Sequence, residues 1–117
     1  MDRDVLTKKL KEKIEKRSKH YSKEDFEKHY ENFIKFHNSH REYEDIMICI
    51  EEMAELTQNL SKVYRGKMDI NDVSVLEEIA DVELCINELI QSYNLDKEKI
   101  EYIKDIKHER LIERYGE

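Results

Sequence analysis

The chain contains no proline and only two glycines, Gly66 and Gly116, among its 117 residues. Proline and glycine are the residues that most often interrupt helices and shape the turns between strands. Strands would also need runs of β-branched residues bounded by turn residues, and the sequence has none. The chain is therefore predicted to be all-α, and its length is that of one domain, 1–117, with a modest core.

Apolar periodicity and capping residues predict four or five helices. In chain order the predicted helices span residues 3–19, about 23–38, 39–66, 72–93 and 96–115. Ser22 with Asp25 resembles a capping box that opens the second helix. Gly66 is a natural stop for the third helix, and Asn71 or Asp72 can cap the fourth. The short connection after Gly66 favours antiparallel packing of the third and fourth helices.

Two acidic segments lie inside the most apolar stretches of this highly charged chain. They are EEMAE, at 51–55, and EEIAD, at 77–81. Residues three apart share one side of a helix, so each segment presents a pair of acids, Glu52 with Glu55 and Glu78 with Asp81. Carboxylates at the rim of an apolar helix face are costly unless a cation offsets them. The two pairs therefore predict a shared cation site between neighbouring helices.

The ligand chemistry of this predicted site favours a hard metal ion. Four carboxylates without histidine or cysteine are typical of Mg²⁺, with Mn²⁺ as the next choice. Such a site commonly binds substrate phosphates as its remaining ligands. Acids number 28 of 117 residues, so their spacing alone also fits ordinary solvated helix surfaces. The apolar setting, repeated on two neighbouring helices, favours the metal site.

The same residues resemble a known family. EExxE followed by ExxD is the signature of MazG-like members of the all-α nucleoside triphosphate pyrophosphohydrolases. The segments EEMAELTQNLSKVYRG and LEEIADVELCINELIQSYN are similar to the short versions found in phages and low-GC bacteria, and IKHERLIERYG resembles their terminal segment. The resemblance covers residues 42–115, which would form the MazG-like core. Residues 1–40 have no counterpart and are treated as a helical extension of unknown role.

The resemblance implies roles for individual residues. Glu52, Glu55, Glu78 and Asp81 match the magnesium ligands. Glu51 matches the additional catalytic acid, which orients or deprotonates the attacking water together with the acids Glu52 and Glu55.

Substrate-binding cations are expected on two helices. Lys107 matches the family's phosphate-contacting lysine, with Arg110 or Arg114 as a second cation. Lys62 and Arg65 lie one to two turns beyond the first acidic segment and are also expected to reach a triphosphate.

The resemblance further implies Mg-dependent hydrolysis of a nucleoside triphosphate, NTP or dNTP, to the monophosphate and pyrophosphate. It implies an antiparallel helical bundle of four to five helices, completed by homo-oligomerisation as a dimer or tetramer. Two alternatives remain open at this point. One is a dUTPase-type relative acting on dUTP, and the other is a catalytically inactive helical protein that sequesters a nucleotide or another protein.

Charge and hydropathy restrict the remaining function classes. The net charge of −7 argues against a nucleic-acid partner, and the basic residues of the first twenty positions are interpreted as a solvated helix face. The longest apolar run, Ile46–Ile50, is too short to cross a bilayer, and nothing resembles a signal peptide. A cytoplasmic enzyme without membrane contact is expected. Cys49 and Cys85, both in apolar segments, are interpreted as small buried hydrophobes rather than a disulfide.

Overall fold

A computed structural model describes residues 2–20, 22–28, 31–32, 35 and 43–116. All regular secondary structure in these residues is helical, which confirms the all-α prediction. The helices are α1 (Arg3–Glu15), α2 (Lys23–Lys28), α3 (Glu44–Tyr64), α4 (Val73–Ser92) and α5 (Lys97–Tyr115). Most of residues 29–38 of the predicted second helix, and the predicted start of the third helix at Ser39, lie outside the described residues.

The predicted capping box at α2 is formed. The Asp25 backbone N–H donates to Ser22 Oγ (3.2 Å), and the Ser22 N–H donates to the Asp25 carboxylate (2.8 Å). These bonds satisfy donors that the first turn of a helix leaves free. The Ser22 N–H and the Ser22 hydroxyl, which both donate to the Asp25 carboxylate, also lower the pKa of Asp25, because a carboxylate that accepts hydrogen bonds is more stable in its charged form.

Gly66 ends α3, as predicted. Its φ of +72° is left-handed, and its N–H donates to the Val63 carbonyl (3.0 Å) while the Lys67 N–H donates to the Lys62 carbonyl (2.8 Å). This pair of bonds is a Schellman motif, in which two otherwise unpaired carbonyls at the helix end accept hydrogen bonds. Asp72 then caps α4 by accepting from the Ser74 N–H (2.9 Å).

The first helix is shorter than predicted, because it ends at Glu15 rather than near residue 19. Arg17 adopts a left-handed φ of 48°, and the Ser18 N–H donates back to the Lys13 carbonyl. Residues 15–20 contain no apolar side chain that would continue the stripe of Leu10 and Ile14, so packing does not extend the helix beyond that point.

Helices α3 and α4 form an antiparallel pair that contains most of the tertiary packing. Near the turn, Asn59 Nδ2 donates to the Ser74 carbonyl (3.2 Å). At the opposite end, the Tyr93 hydroxyl donates to the buried Asp45 carboxylate, and the Tyr93 ring stacks on Tyr43 with centroids 6.1 Å apart. These contacts fix the register of the two helices at both ends, and we call the surface between them the α3–α4 seam.

The single chain buries little of its apolar surface. Among the described residues, Cys49 and Val75 are the buried apolar side chains, with 2% and 0% of their surface exposed. Apolar side chains on the outer faces of α3 and α4 remain partly exposed, including Met47, Ile50 and Leu84. The radius of gyration is 17.1 Å, against about 13 Å expected for a compact domain of this length. The helices are therefore spread apart rather than closed around one core.

The remaining helices pack more loosely. Arg3 of α1 forms a salt bridge of 2.9 Å to Asp72, and α1 makes a smaller contact with α4. α5 makes few contacts with the other described helices, and Ile103 and Ile106 on it are about half exposed. None of the described helices combines the length and hydropathy needed to cross a membrane.

Candidate metal centre

Three of the four predicted metal ligands converge in the middle of the α3–α4 seam. Each of Glu52, Glu55 and Glu78 offers a carboxylate oxygen, and these oxygens all lie within 4.8 Å of one another. The convergence follows from register: antiparallel helices joined by a short turn place Glu55 opposite Glu78. We call these three residues the carboxylate cluster.

Two oxygens of the carboxylate cluster are buried without a hydrogen-bond partner. They are Glu52 Oε2 and Glu78 Oε2, and a third such atom in the described chain is Ser92 Oγ. A buried polar atom left unpaired costs about 1 to 3 kcal/mol, and more when it is charged. A cation at the cluster would satisfy both carboxylate oxygens at once.

The acids of the carboxylate cluster repel one another, and this repulsion contributes to raised pKa values. Burial, followed by the charge of Glu55 and a hydrogen bond with it, raises the pKa of Glu78 from 4.5 to about 7. Burial and the charges of Glu55 and Asp81 also raise the pKa of Glu52. Like-charged neighbours in a partly desolvated site favour the protonated form, so full ionisation at neutral pH requires a compensating cation.

Asp81, the fourth predicted ligand, lies beside the cluster but not within the group of three. Its pKa is raised, first by burial and then by Glu77 and Glu55, and its charge in turn raises the pKa of Glu52 and Glu78. The predicted catalytic acid Glu51 is exposed, and its charge contributes to the raised pKa of Glu52. Both residues therefore lie within electrostatic range of the cluster.

The predicted phosphate-binding cations occupy two other surfaces. Lys62 and Arg65 border a shallow cleft of about 450 Å³ at the C-terminal end of α3. Lys107 and Arg110 line a cleft of about 360 Å³ on α5, together with Leu111 and Arg114. Because α5 packs little against α3 and α4, the single chain does not bring this second surface against the cluster.

The two thiols lie in the seam next to the acids. Both cysteines are free; Cys49 is buried, as interpreted from the sequence, whereas Cys85 is only half-buried. Burial, with Cys49 and Glu52 nearby, raises the pKa of Cys85 to about 11, and burial also raises the pKa of Cys49. A thiol with a raised pKa is a poor nucleophile and a poor metal ligand at neutral pH. The chemistry of the site therefore rests on its carboxylates.

Two features of the surroundings were not predicted from sequence. The Asp45–Tyr93 pair joins residues 48 positions apart, and no local pattern signals such a contact. The basic residues of the N-terminal stretch are exposed, in agreement with their interpretation as a solvated face; the cleft against α4 that Lys13, Arg17, Lys19 and His20 line was not predicted.

The chain matches no protein-family model, and comparisons with curated proteins and with solved structures find no significant match.

Proposed function

We propose that this chain is a MazG-like nucleoside triphosphate pyrophosphohydrolase that uses Mg²⁺, with Mn²⁺ as a substitute. The observation that supports the proposal is the convergence of Glu52, Glu55 and Glu78, with two buried carboxylate oxygens that have no other partner. Buried carboxylate oxygens with no offsetting group are costly to keep, and a divalent ion bound to substrate phosphates would offset that cost.

Each acid has a role in the proposed reaction. Glu52, Glu55 and Glu78 would hold the ion, with Asp81 as the fourth ligand. When bound, the ion neutralises charge on the phosphates and polarises the water that attacks. Glu51 is exposed beside the cluster and would accept a proton from that water. The water oxygen bonds to phosphorus, the bond between the α- and β-phosphate groups breaks, and pyrophosphate leaves.

Cations outside the cluster would bind the rest of the triphosphate. Lys62 and Arg65 extend along α3 beyond Glu55, and Lys107 and Arg110 lie on α5. Their charges compensate the phosphate oxygens that the metal does not contact. We place this activity in the cytoplasm, where free nucleoside triphosphates are found.

We further propose that the enzyme is a homo-oligomer, a dimer or tetramer, in which copies complete an antiparallel helical bundle. The exposed apolar faces of α3, α4 and α5, together with the large radius of gyration, support this assembly. Exposed apolar surface of this extent is typical of an interface. Sedimentation of the purified chain would reveal its oligomeric state, and a monomer would refute this part of the proposal.

The activity is tested by incubating the protein with a panel of NTPs and dNTPs in the presence of Mg²⁺. We expect each turnover to release one pyrophosphate and one monophosphate. Release of orthophosphate alone would contradict the proposal. Turnover of dUTP alone would identify the dUTPase-type relative, and tight nucleotide binding without turnover would identify the sequestering protein.

A further inference from the structure

Helix α3 carries a second stripe of mainly apolar residues, which the described helices leave exposed. Its members alternate in spacings of four and three residues, and they are Ile46, Ile50, Met53, Thr57, Leu60 and Tyr64. The apolar members are between 37% and 93% exposed. Each member directly follows a buried or half-buried residue of the stripe that faces α4, which consists of Asp45, Cys49, Glu52, Leu56, Asn59 and Val63. One stripe of helix-packing spacing is therefore used inside the chain, and a second one, which we call the outer stripe, is left over.

Helix α4 repeats this arrangement. Its outer stripe consists of Leu76, Ile79, Glu83, Ile86 and Ile90, and each member directly follows a buried or half-buried residue that faces α3. Leu76, Ile79 and Ile86 remain 45%, 38% and 44% exposed. Because the two helices are right-handed and antiparallel, one step forward along either helix turns toward the same side of the pair. The two outer stripes therefore form one continuous surface, which we call the outer face.

The outer face has the size and charge of an interface. Its length from Ile46 to Tyr64 is about 27 Å, and two helices side by side are about 20 Å wide. The resulting area, on the order of 500 Å² on each copy, is at the upper limit for apolar patches of monomeric proteins and of the same order as one side of a specific interface. Among the eleven residues of the two outer stripes, Glu83 alone is charged.

The carboxylate cluster opens on the opposite side of the helix pair. At 100° per residue, Glu55, the exposed member of the cluster, lies about 140° or more around α3 from every member of the outer stripe. On α4, Asp81 lies about 140° or more from every member of the outer stripe by the same geometry. A partner on the outer face would therefore leave the acids accessible.

We infer that the outer face binds a second copy of this chain about a two-fold axis, so that two α3–α4 pairs lie back to back and each copy keeps a separate carboxylate cluster on its far side. A second copy supplies the same stripes with the same spacing, and that spacing already joins α3 to α4 within one chain. It also meets this net charge of −7 where charge is almost absent. The inference rests on the homo-oligomer of the proposed function and assigns its contact surface.

The test is sedimentation of the full chain over a range of concentrations, in buffer without metal or nucleotide. Ile50→Glu places an acid in the outer stripe of α3. The matched control is Leu84→Glu, at a side chain that is equally exposed (48%) but lines the cleft between α4 and α1. Thr57→Leu is a further variant, which replaces the polar member of the α3 stripe by an apolar residue and adds no charge.

We expect the wild type to dimerise and Ile50→Glu to raise the Kd of the dimer by at least about a hundredfold, because each copy would have to bury a carboxylate. Leu84→Glu should change the Kd by less than about threefold, as expected of an exposed site outside the interface. Thr57→Leu should lower the Kd by at least about fivefold, because it adds apolar area to both copies.

A monomeric wild type, or equal weakening by Ile50→Glu and Leu84→Glu, would overturn the inference. If Ile50→Glu loses helicity by circular dichroism, Thr57→Leu decides, and a Kd that fails to fall would overturn it. Titration calorimetry with Mg²⁺ tests the separate clusters: Ile50→Glu should bind with wild-type affinity within about twofold, because the two sites are independent. Loss of Mg²⁺ binding together with association would overturn the back-to-back arrangement. A dimer that hydrolyses no nucleotide would refute the proposed activity and leave the interface standing.

Discussion

Glu55 and Glu78 face each other across the α3–α4 seam with carboxylate oxygens within 4.8 Å, and burial together with this neighbour raises the pKa of Glu78 to about 7. Under the proposed function, binding of a metal ion would displace the proton that these closely placed acids retain at neutral pH. The first two predictions follow from this exchange.

Stability without metal should fall as pH rises. The folded-state pKa of Glu78 is raised from 4.5 to about 7, so between these values the folded chain binds more protons than the unfolded chain. The free energy of unfolding therefore decreases across this window, by on the order of 2 kcal/mol for Glu78. The raised pKa values of Glu52 and Asp81 act in the same direction. Melting temperatures in EDTA from pH 4.5 to 7.5 measure the slope.

Mg²⁺ should reverse this loss at pH 7.5 by binding only the folded chain. Glu78→Gln should flatten the metal-free slope, whereas Glu83→Gln, an exposed change on the same helix, should leave it unaltered. A melting temperature that rises between pH 4.5 and 7.5 in EDTA would contradict the conclusion that repulsion within the carboxylate cluster destabilises the folded chain.

Neutralising one acid should separate activity from stability. We expect Glu55→Gln and Asp81→Asn each to lower nucleotide turnover by at least about a hundredfold, because each removes a proposed metal ligand. In metal-free buffer both variants should melt at the same temperature as the wild type or higher, since repulsion among the acids is relieved. A clear drop in melting temperature for either variant would show that these carboxylates serve the fold.

The Asp45–Tyr93 contact should be a stabilising element at the end of the seam. Tyr93→Phe keeps the ring that stacks on Tyr43 but removes the donor to a carboxylate that is only 5% exposed. We expect a loss of about 1 to 3 kcal/mol in the free energy of unfolding, measured with urea. Tyr64→Phe, at a position 93% exposed, is the matched control and should cost less than about 0.5 kcal/mol.

The seam thiols should resist alkylation. The raised pKa of Cys85, about 11, leaves little thiolate at pH 8, and Cys49 is 2% exposed. Labelling with iodoacetamide should be at least about tenfold slower in the folded chain than in urea. Mass spectrometry of timed samples measures both rates, and equal rates would place the thiols at an accessible surface instead.

The turn after α3 should require glycine at position 66 only because of the backbone conformation there, and not because a side chain would clash. A Cβ added at Gly66 meets no atom within 4 Å, so Gly66→Ala costs only the strain of its φ of +72°. We expect a loss of about 1 kcal/mol in the free energy of unfolding. Lys67→Ala, whose backbone N–H bond is retained, should change it by less than about 0.5 kcal/mol.

Local chemistry explains which parts of the fold were predictable. The capping box at Ser22, the stop at Gly66 and the caps at Asp72 and Asp96 are decided by residues within a few positions of each helix end, and all four agree with the structure. The predicted end of α1 lies too far along the chain, because Arg17 adopts a left-handed backbone conformation that the local sequence does not indicate.

The candidate site was predictable only in outline. The three-residue spacing and the apolar surroundings identified Glu52, Glu55 and Glu78 as candidates. Their convergence was predictable because a short turn fixes how the two helices face each other. The exclusion of Asp81 from the group of three depends on side-chain placement, which spacing cannot specify. The distance of Lys107 and Arg110 from the acids depends on where α5 packs, and the chain alone does not set it.

Two hydrogen bonds join α3 to α4 on either side of the acids: one from Tyr93 to Asp45 and one from Asn59 to Ser74. The helices therefore need no rearrangement to present ligands that already lie together. Uptake of a divalent ion should be a single fast kinetic phase, limited by how readily the ion sheds its own water shell. Mg²⁺, which dehydrates reluctantly, would then enter more slowly than Mn²⁺ without binding any less specifically.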